Sequence, residues 1–358
     1  MGPIAAMAPA ARTGMFRFAF LVALLLIGVG VPAQAASFDC GKAATPFEKA
    51  ICADPDLSKA DERLAKTYST AIGGLSEAAI GALRADQRQW LDFARRACTE
   101  DAQPMSSGSY DEMGMRCLRG LFSTRSAQLE TSRMIGGLRF YPRAAFATLP
   151  DPEAEPDSAW AVASHELSYV QLDADADIAD KFNAFVEAEA VRLSDMYGEV
   201  KGTVAMDPDP GSDTSNSIAV QDVSGQTRIT LDVGTYWYGH GAAHGNWTQT
   251  YLHYLPREGR ALAARDIFGR KGWQKALLDL TVEALNSQHD PEMLMIEDTS
   301  YIADAVTDPS RWDLSDPYSL IVQFQPYEVA AYAYGAPTAR VSWEALADYL
   351  AEGNESYR

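Results

Sequence analysis

Residues 227–254 read TRITLDVGTYWYGHGAAHGNWTQTYLHY, and this stretch decides the fold class of the larger part of the chain. Apolar and polar side chains alternate through its first half, which is typical of a strand with one buried face. A second alternating run follows after a short glycine-rich interval. Thr227–Tyr238 and Trp247–Tyr254 are therefore predicted to be antiparallel strands. The apolar face of the first strand consists of Ile229, Leu231, Val233 and Trp237.

The interval between these strands is rich in glycine. Glycine permits positive φ angles and lets another chain segment approach the backbone closely. The interval is therefore predicted to be a tight, structured loop. Its glycines are Gly239, Gly241 and Gly245.

The same loop contains two histidines four residues apart, His240 and His244, which is the spacing of a metal-ligand pair. A zinc hydrolase of this kind also needs a neighbouring carboxylate, and residues 233–257 contain no Asp or Glu. His253 stays open as a third nitrogen ligand. The chain has no Gly-x-Ser-x-Gly motif, although hydrolysis by paired carboxylates stays open because the chain is rich in acidic residues. We predict no metal, no cofactor and no catalytic residue.

The flanking sequence predicts an α+β domain with a mainly antiparallel sheet over residues 135–358. Alternating segments predict further strands, and segments with apolar residues at helical spacing predict helices. A short closing helix is predicted from Trp343. The other predicted strands are 138–141, 159–173, 217–223, 318–325 and 328–333, and the predicted helices are 177–197 and 272–287.

Residues 36–134 are predicted to form a small, disulfide-stapled, all-α domain. Thr45-Pro46-Phe47-Glu48 has the pattern of a capping box with proline at the first helical position. The following residues repeat apolar side chains at helical spacing, which indicates helices packed around one core.

All four cysteines, Cys40, Cys52, Cys98 and Cys117, lie in this small domain. An even number of cysteines in an exported chain predicts two disulfides. If the long helices fold back on each other at Gly74, Cys52 pairs with Cys98 and Cys40 pairs with Cys117. The pairing of Cys40 with Cys52 and of Cys98 with Cys117 stays open.

Residues 1–35 have the pattern of a signal peptide. Arg12 and Arg17 precede an apolar run over residues 18–31, and Ala33-Gln34-Ala35 is the predicted cleavage motif. We therefore predict a periplasmic or secreted protein, with an uncleaved N-terminal anchor as the alternative.

The chain is strongly acidic, with 30 basic and 49 acidic residues and a formal net charge of −19. Removal of the predicted signal peptide takes away two arginines, so that 28 basic residues remain against 49 acidic ones, a charge of −21. Such a charge disfavours nucleic acid and, after signal cleavage, an anionic membrane as partners. A basic protein partner is favoured.

The small domain contains three segments that together resemble a known family: FDCGKAATPFEKAICADPDLSKADERLAKTY, QRQWLDFARRAC and CLRGLF. These segments resemble the N-terminal domain of the LprI-like lysozyme inhibitors over residues 38–130. The resemblance implies a helical domain that binds lysozyme. The interval between Cys98 and Cys117 is longer than in that family and contains an inserted loop.

The larger domain is similar to the C-terminal domain of the anti-sigma factor RsiV over about residues 138–350. The similarity rests on Gly241-Ala-Ala-His244-Gly245, Gly259-Arg-Ala-Leu, Asp266-Ile-Phe268 and the segment FQPYEVAAYAYG that starts at Phe324. In RsiV this domain is an extracellular lysozyme receptor. This chain lacks the cytoplasmic sigma-binding segment of RsiV, so signalling to a sigma factor is not expected.

Both resemblances imply an exported, non-enzymatic protein that binds and inhibits lysozyme or another basic cell-wall hydrolase. The glycine loop and the Pro326-Tyr327-Glu328 turn are predicted to lie together and contact the partner. The alternative is a cell-wall glycan-binding protein, or an accessory module of a hydrolase or deacetylase. The predicted partner-binding residues are Tyr236, Tyr238, His244, Gly245, Asn246, Pro326, Tyr327 and Glu328.

Overall fold

The computed structural model describes residues 36–155, 158, 161–174, 176–194, 209–296 and 298–358. The predicted signal peptide and cleavage site lie outside the described residues, as do the start of predicted strand 159–173 and the end of predicted helix 177–197. Ala35–Arg358 form one compact unit. Among the described residues, no helix is both long and apolar enough to cross a membrane.

The N-terminal part is helical, as predicted, and its helices begin at side chains that cap them. The Glu48 N–H donates to the Thr45 hydroxyl and the Thr45 N–H donates to the Glu48 carboxylate, which is the predicted capping box. Asp54 and Ser76 cap the next two helices by accepting from backbone N–H groups. The helices are α1 (Pro46–Ala53), α2 (Pro55–Ala71), α3 (Glu77–Ala97) and α4 (Glu112–Glu130).

The four cysteines form two disulfides, Cys40–Cys52 and Cys98–Cys117. The favoured pairing of Cys52 with Cys98 and of Cys40 with Cys117 was wrong, and the alternative left open by the sequence is the one observed. The favoured pairing assumed that α2 and α3 fold back on each other. Instead α2 packs mainly against α4, while α3 packs against a strand of the sheet. Each disulfide therefore closes a short segment, with sequence separations of 12 and 19 residues.

A mainly antiparallel sheet follows the helices, as predicted. Within the described residues its seven strands lie in chain order, and the β3–β4 pair is the parallel one. The strands are β1 (Arg133–Ile135), β2 (Leu138–Pro150), β3 (Val162–Leu172), β4 (Ser212–Ser224), β5 (Arg228–Gly239), β6 (Asn246–Leu255) and β7 (Arg260–Ala261). Helix α5 (Ala176–Ser194) lies in the connection between the two parallel strands.

The C-terminal part packs around a core of its own and carries a small second sheet. Two sequence predictions fail here. Residues 328–333 do not form a strand, because this segment is a turn followed by a 3₁₀ helix at Tyr332–Tyr334. No α-helix begins at Trp343; the described chain ends in turns and short 3₁₀ helices. The remaining elements are α6 (Ala264–Ile267), α7 (Trp273–Gln288), α8 (Ala303–Thr307), β8 (Trp312–Asp313), β9 (Ser319–Gln323) and β10 (Thr338–Ser342).

The two faces of the large sheet have different neighbours. Leu231 and Val233 of β5 pack with Phe182 of α5 in one buried cluster. Since side chains alternate along a strand, the intervening residues of β5 face the opposite side. On that opposite side Phe146 of β2 stacks on Phe93 of α3, with ring centroids 5.3 Å apart. The helical region therefore covers the β2 end of the face opposite α5.

A buried ion pair joins the helical region to the sheet. The guanidinium of Arg143 on β2 donates two hydrogen bonds to the carboxylate of Asp86 on α3, at 2.8 and 3.2 Å. The same carboxylate accepts from the backbone N–H of Ala144 at 3.0 Å. Burial alone lowers the pKa of Arg143, but hydrogen bonding to Asp86 and its charge raise this pKa above the ordinary value. The two regions that the sequence treats as separate domains are thus joined by specific polar contacts.

Candidate functional site

The glycine loop connects β5 to β6 and its glycines act in the two predicted ways. Gly241 has a φ of +77° at the loop tip, where a side chain is disfavoured. Gly245 permits close approach instead, because a Cβ there would lie 2.5 Å from the phenol ring of Tyr236. Gly239 is similar, with a Cβ position 2.7 Å from the Trp237 ring. The loop therefore has little freedom to move without displacing these aromatic rings.

The structure brings the second predicted segment against this loop. The hydroxyl of Tyr327 is hydrogen bonded to Nε2 of His244 at 3.2 Å. Tyr332 donates its hydroxyl to the carbonyl of Gly245 at 2.6 Å and stacks its ring on His244, with centroids 4.1 Å apart. We call Tyr236, His244, Tyr327 and Tyr332 the tip cluster.

The Tyr327 turn is held rigidly in place. Gln325 exchanges two hydrogen bonds with the backbone of Gln249 on β6, at 2.9 and 2.7 Å. Glu328 pairs with Arg311 and accepts from the N–H of Gln325. Tyr327 itself has a φ of +69° and is 56% exposed. Such a backbone angle is costly for a residue with a Cβ, and it persists only where surrounding contacts impose it.

The predicted binding residues therefore differ in what they can offer a partner. Tyr327, Tyr236 and His244 are exposed, and Asn246 is exposed beside them. The hydroxyl of Tyr238 bonds within the loop, to the carbonyl of Ala242. Two further predicted residues stabilise the loop and the turn and do not face solvent. These are Gly245, which is buried, and Glu328, whose carboxylate is used inside the turn.

Among the described residues, the histidines considered as metal ligands do not form a ligand group. His240 is turned inward, with its Nδ1 2.6 Å from Asp151 Oδ2, and this hydrogen bond holds the pKa of Asp151 below its ordinary value. His253 is buried between Thr230 and the Trp312 carbonyl, and burial lowers its pKa to about 3. Within the described part of the chain, no three metal-binding side chains form a group.

The sequence argument about His240 missed its carboxylate partners. It searched only the neighbouring residues, whereas Asp151 follows β2 and Asp213 lies at the start of β4, with Asp213 Oδ1 3.5 Å from His240 Nε2. No local sequence pattern marks these two contacts, because Asp151 and Asp213 lie 89 and 27 residues from His240 along the chain.

Sequence reasoning also missed a cleft on the sheet face opposite α5. Its volume is about 280 Å³, and it begins beside the tip cluster at Tyr236. We call it the sheet cleft. The lining residues used below are Ser215, Ser217, Asp232, Gly234, Tyr236, Trp247 and Gln249.

Comparison with known proteins identifies two domains. Residues 40–129 match the family model described as lysozyme inhibitor LprI, and residues 265–344 match a protein family of unknown function, DUF3298. The lipoproteins LprI of Mycobacterium bovis and Mycobacterium tuberculosis are 32% identical over 98 residues, which is 27% of this chain and 43% of theirs. The chain thus matches less than half the length of these relatives.

An uncharacterised protein of Rhizobium meliloti is also 32% identical, over 112 residues covering 27% of this chain and 81% of that protein. Two solved DUF3298 proteins each align with 63% of this chain and 98% of their own. The one from Pseudomonas aeruginosa has 13% identity and a TM-score of 0.43, and the one from Bacteroides fragilis has 17% and 0.47. The similarity to RsiV stays a prediction.

Proposed function

Because the chain carries an LprI-family domain at residues 40–129 and a DUF3298 domain at residues 265–344, we propose that it is an exported protein that binds and inhibits lysozyme. The observation that carries this proposal is the match to the lysozyme inhibitor family. Inhibition of this kind needs a surface that blocks the substrate cleft of the enzyme, so the proposed role is binding and not catalysis.

The charge of the chain supports a basic partner. The full sequence has a net charge of −19, and cell-wall lysozymes of the common basic type carry the opposite sign. Opposite charges accelerate encounter and make association sensitive to ionic strength. Binding is therefore expected to weaken as salt rises, mainly through a slower association rate.

The tip cluster is the proposed site of contact with lysozyme. Its most exposed member, Tyr327, lies on a turn that two hydrogen bonds tie to β6 and that the ion pair of Glu328 with Arg311 reinforces. Aromatic residues dominate the binding energy of many interfaces, and a rigid element loses little conformational entropy on binding. We place Tyr327 at the centre of this surface, with His244, Asn246 and Tyr236 around it.

The test uses the chain from residue 36 onward, purified with its disulfides intact. It is mixed with a basic c-type lysozyme at low and high salt, and binding and the rate of cell-wall clearing are measured. Tyr327→Ala is expected to weaken binding about tenfold or more, since a central aromatic contact is worth about 2 kcal/mol. Tyr318→Ala is the matched control, because Tyr318 is 80% exposed and lies outside the tip cluster.

Two outcomes bear on different parts of the proposal. If the protein neither binds lysozyme at low salt nor slows clearing, the proposed function is wrong. If both activities are present but Tyr327→Ala and Tyr318→Ala behave alike, lysozyme is bound elsewhere, and the tip cluster is not the contact.

A further inference from the structure

The sheet cleft lies on the same face of the sheet as the helical region. In the strand pairing Phe146 stands beside Glu166, and Glu166 beside Ser215, so these side chains share one face. Phe146 contacts α3, whereas Ser215 lines the cleft. The helical region thus covers one end of this face, and the C-terminal part covers another end, where the Trp312 carbonyl is hydrogen bonded to His253. The cleft lies between these two covered regions, over β4, β5 and β6.

The floor of the cleft is polar and open. Gly234 lies between Ser217 and Gln249 in the strand pairing, and a Cβ at Gly234 would approach the Ser217 hydroxyl to 3.1 Å. A side chain at position 234 would occupy the space above the sheet, so the glycine keeps this space open. Gln249 is fixed at this position because Gln325 holds both of its backbone polar groups.

A carboxylate on the floor has unused hydrogen-bonding capacity. Asp232 is bonded by the side chain of Gln249, but its Oδ1 is buried without a hydrogen-bond partner among the described residues. Burial raises the pKa of Asp232 above its ordinary value. A buried oxygen of this kind is unfavourable for folding unless water or a ligand supplies a donor, and a ligand in the cleft can take that position.

Two aromatic residues stand at the end of the cleft that adjoins the tip cluster. Tyr236 on β5 and Trp247 on β6 are directly opposite each other in the strand pairing, and both line the cleft. The cleft therefore combines aromatic surface with hydroxyl, amide and carboxylate groups. None of its lining residues is Lys or Arg.

This combination of aromatic, hydroxyl, amide and carboxylate groups indicates which class of ligand the cleft can bind. The carboxylate and the acidic chain disfavour anions such as nucleotides and phosphates. A strand-like peptide would need free backbone groups at a sheet edge, whereas Gln325 already bonds the backbone N–H and carbonyl of Gln249 at the edge beside the cleft. A sugar ring fits the chemistry, because its C–H face packs on an aromatic ring while its hydroxyl groups donate to a carboxylate and an amide oxygen.

We propose that the sheet cleft binds a neutral oligosaccharide, with a sugar ring on Trp247 and Tyr236 and a sugar donor bonded to Asp232. The cleft volume of about 280 Å³ lies just below the range of roughly 300–1,000 Å³ for small-molecule sites, which favours a short segment of the oligosaccharide as the bound part. This proposal does not rest on lysozyme binding, although Tyr236 belongs to both the tip cluster and the sheet cleft.

The experiment titrates the chain from residue 36 onward with chitotriose and, separately, with cellotriose, and follows tryptophan fluorescence and binding heat. At least one of these sugars is expected to bind. Trp247→Ala should weaken that binding about tenfold, and Trp247→Phe should keep most of it. Absence of binding for both sugars at about 10 mM, where a millimolar site is largely filled, would overturn the proposal.

Asp232→Asn separates a binding role from a structural one. The substitution keeps the shape of the side chain and replaces an oxygen acceptor with a donor, so sugar binding should fall about tenfold while the unfolding midpoint stays the same or rises. Asp180→Asn, an exposed change on α5, is the matched control and should alter neither. If Asp232→Asn lowers the midpoint and leaves sugar binding unchanged, Asp232 supports the fold and the proposal fails.

Discussion

Substitution of Asp86 by alanine tests whether the helical region and the sheet unfold as one unit. The Asp86 carboxylate, with only 4% of its side chain exposed, accepts two hydrogen bonds from Arg143 and one from the Ala144 N–H. Asp86→Ala leaves this guanidinium and this backbone N–H without their partner at the interface.

The expected loss follows from the burial of these groups. Breaking a buried ion pair by removing one partner costs about 3–5 kcal/mol, and an orphaned buried N–H adds to that cost. Because 25% of the Arg143 side chain is exposed, water recovers part of the loss. We expect Asp86→Ala to lower the free energy of unfolding by about 3 kcal/mol.

The measurement is urea unfolding, followed by far-ultraviolet circular dichroism and by tryptophan fluorescence. Asp92→Ala is the control on the same helix, since Asp92 pairs with Arg96 at the surface and its loss should cost at most about 1 kcal/mol. The Asp86→Ala/Arg143→Ala double variant should be less destabilised than the sum of the single variants. A loss for Asp86→Ala no larger than that for Asp92→Ala would refute the reasoning.

Three further predictions concern the glycine loop, the carboxyl group of Glu166 on β3 and the Cys98–Cys117 disulfide. Gly245→Ala places a Cβ 2.5 Å from the Tyr236 ring, so it should destabilise by about 1–3 kcal/mol and weaken lysozyme binding, measured by urea unfolding and by pull-down. Burial raises the pKa of Glu166 from 4.5 to about 7, so the folded state keeps a proton that the unfolded state releases. The free energy of unfolding should therefore fall as pH rises through that window, and Glu166→Gln should flatten the dependence. Replacing Cys98 and Cys117 with serine opens a loop of 19 residues and should cost about 3 kcal/mol in urea unfolding, and an unchanged midpoint would contradict this.

The local elements were largely predictable because their signals are local. The Thr45–Glu48 capping box uses hydrogen bonds within four residues, and the structure confirms it. The alternation in residues 227–254 reflects one buried face, and the observed strands Arg228–Gly239 and Asn246–Leu255 agree with it.

Segments whose conformation depends on distant partners were predicted less well. Residues 328–333 resemble a strand in composition, yet Glu328 pairs with Arg311, and Gln325 bonds to Gln249 across 76 residues of sequence. These contacts hold the segment as a turn with Tyr327 at a positive φ. No periodicity encodes them.

The sequence by itself determined the α+β class, the presence of two disulfides, the acidic character and the two segments of the tip cluster. Only the tertiary structure decided the disulfide pairing, the inward orientation of His240 and the sheet cleft. The physical reason is the sequence separation between the residues that interact. Capping and alternation act between near neighbours, whereas the docking of α3 on β2 joins residues more than 50 positions apart. With α3 docked on β2 and α2 packed on α4, the helix pair that the favoured cysteine pairing assumed does not form, and part of the sheet face stays uncovered.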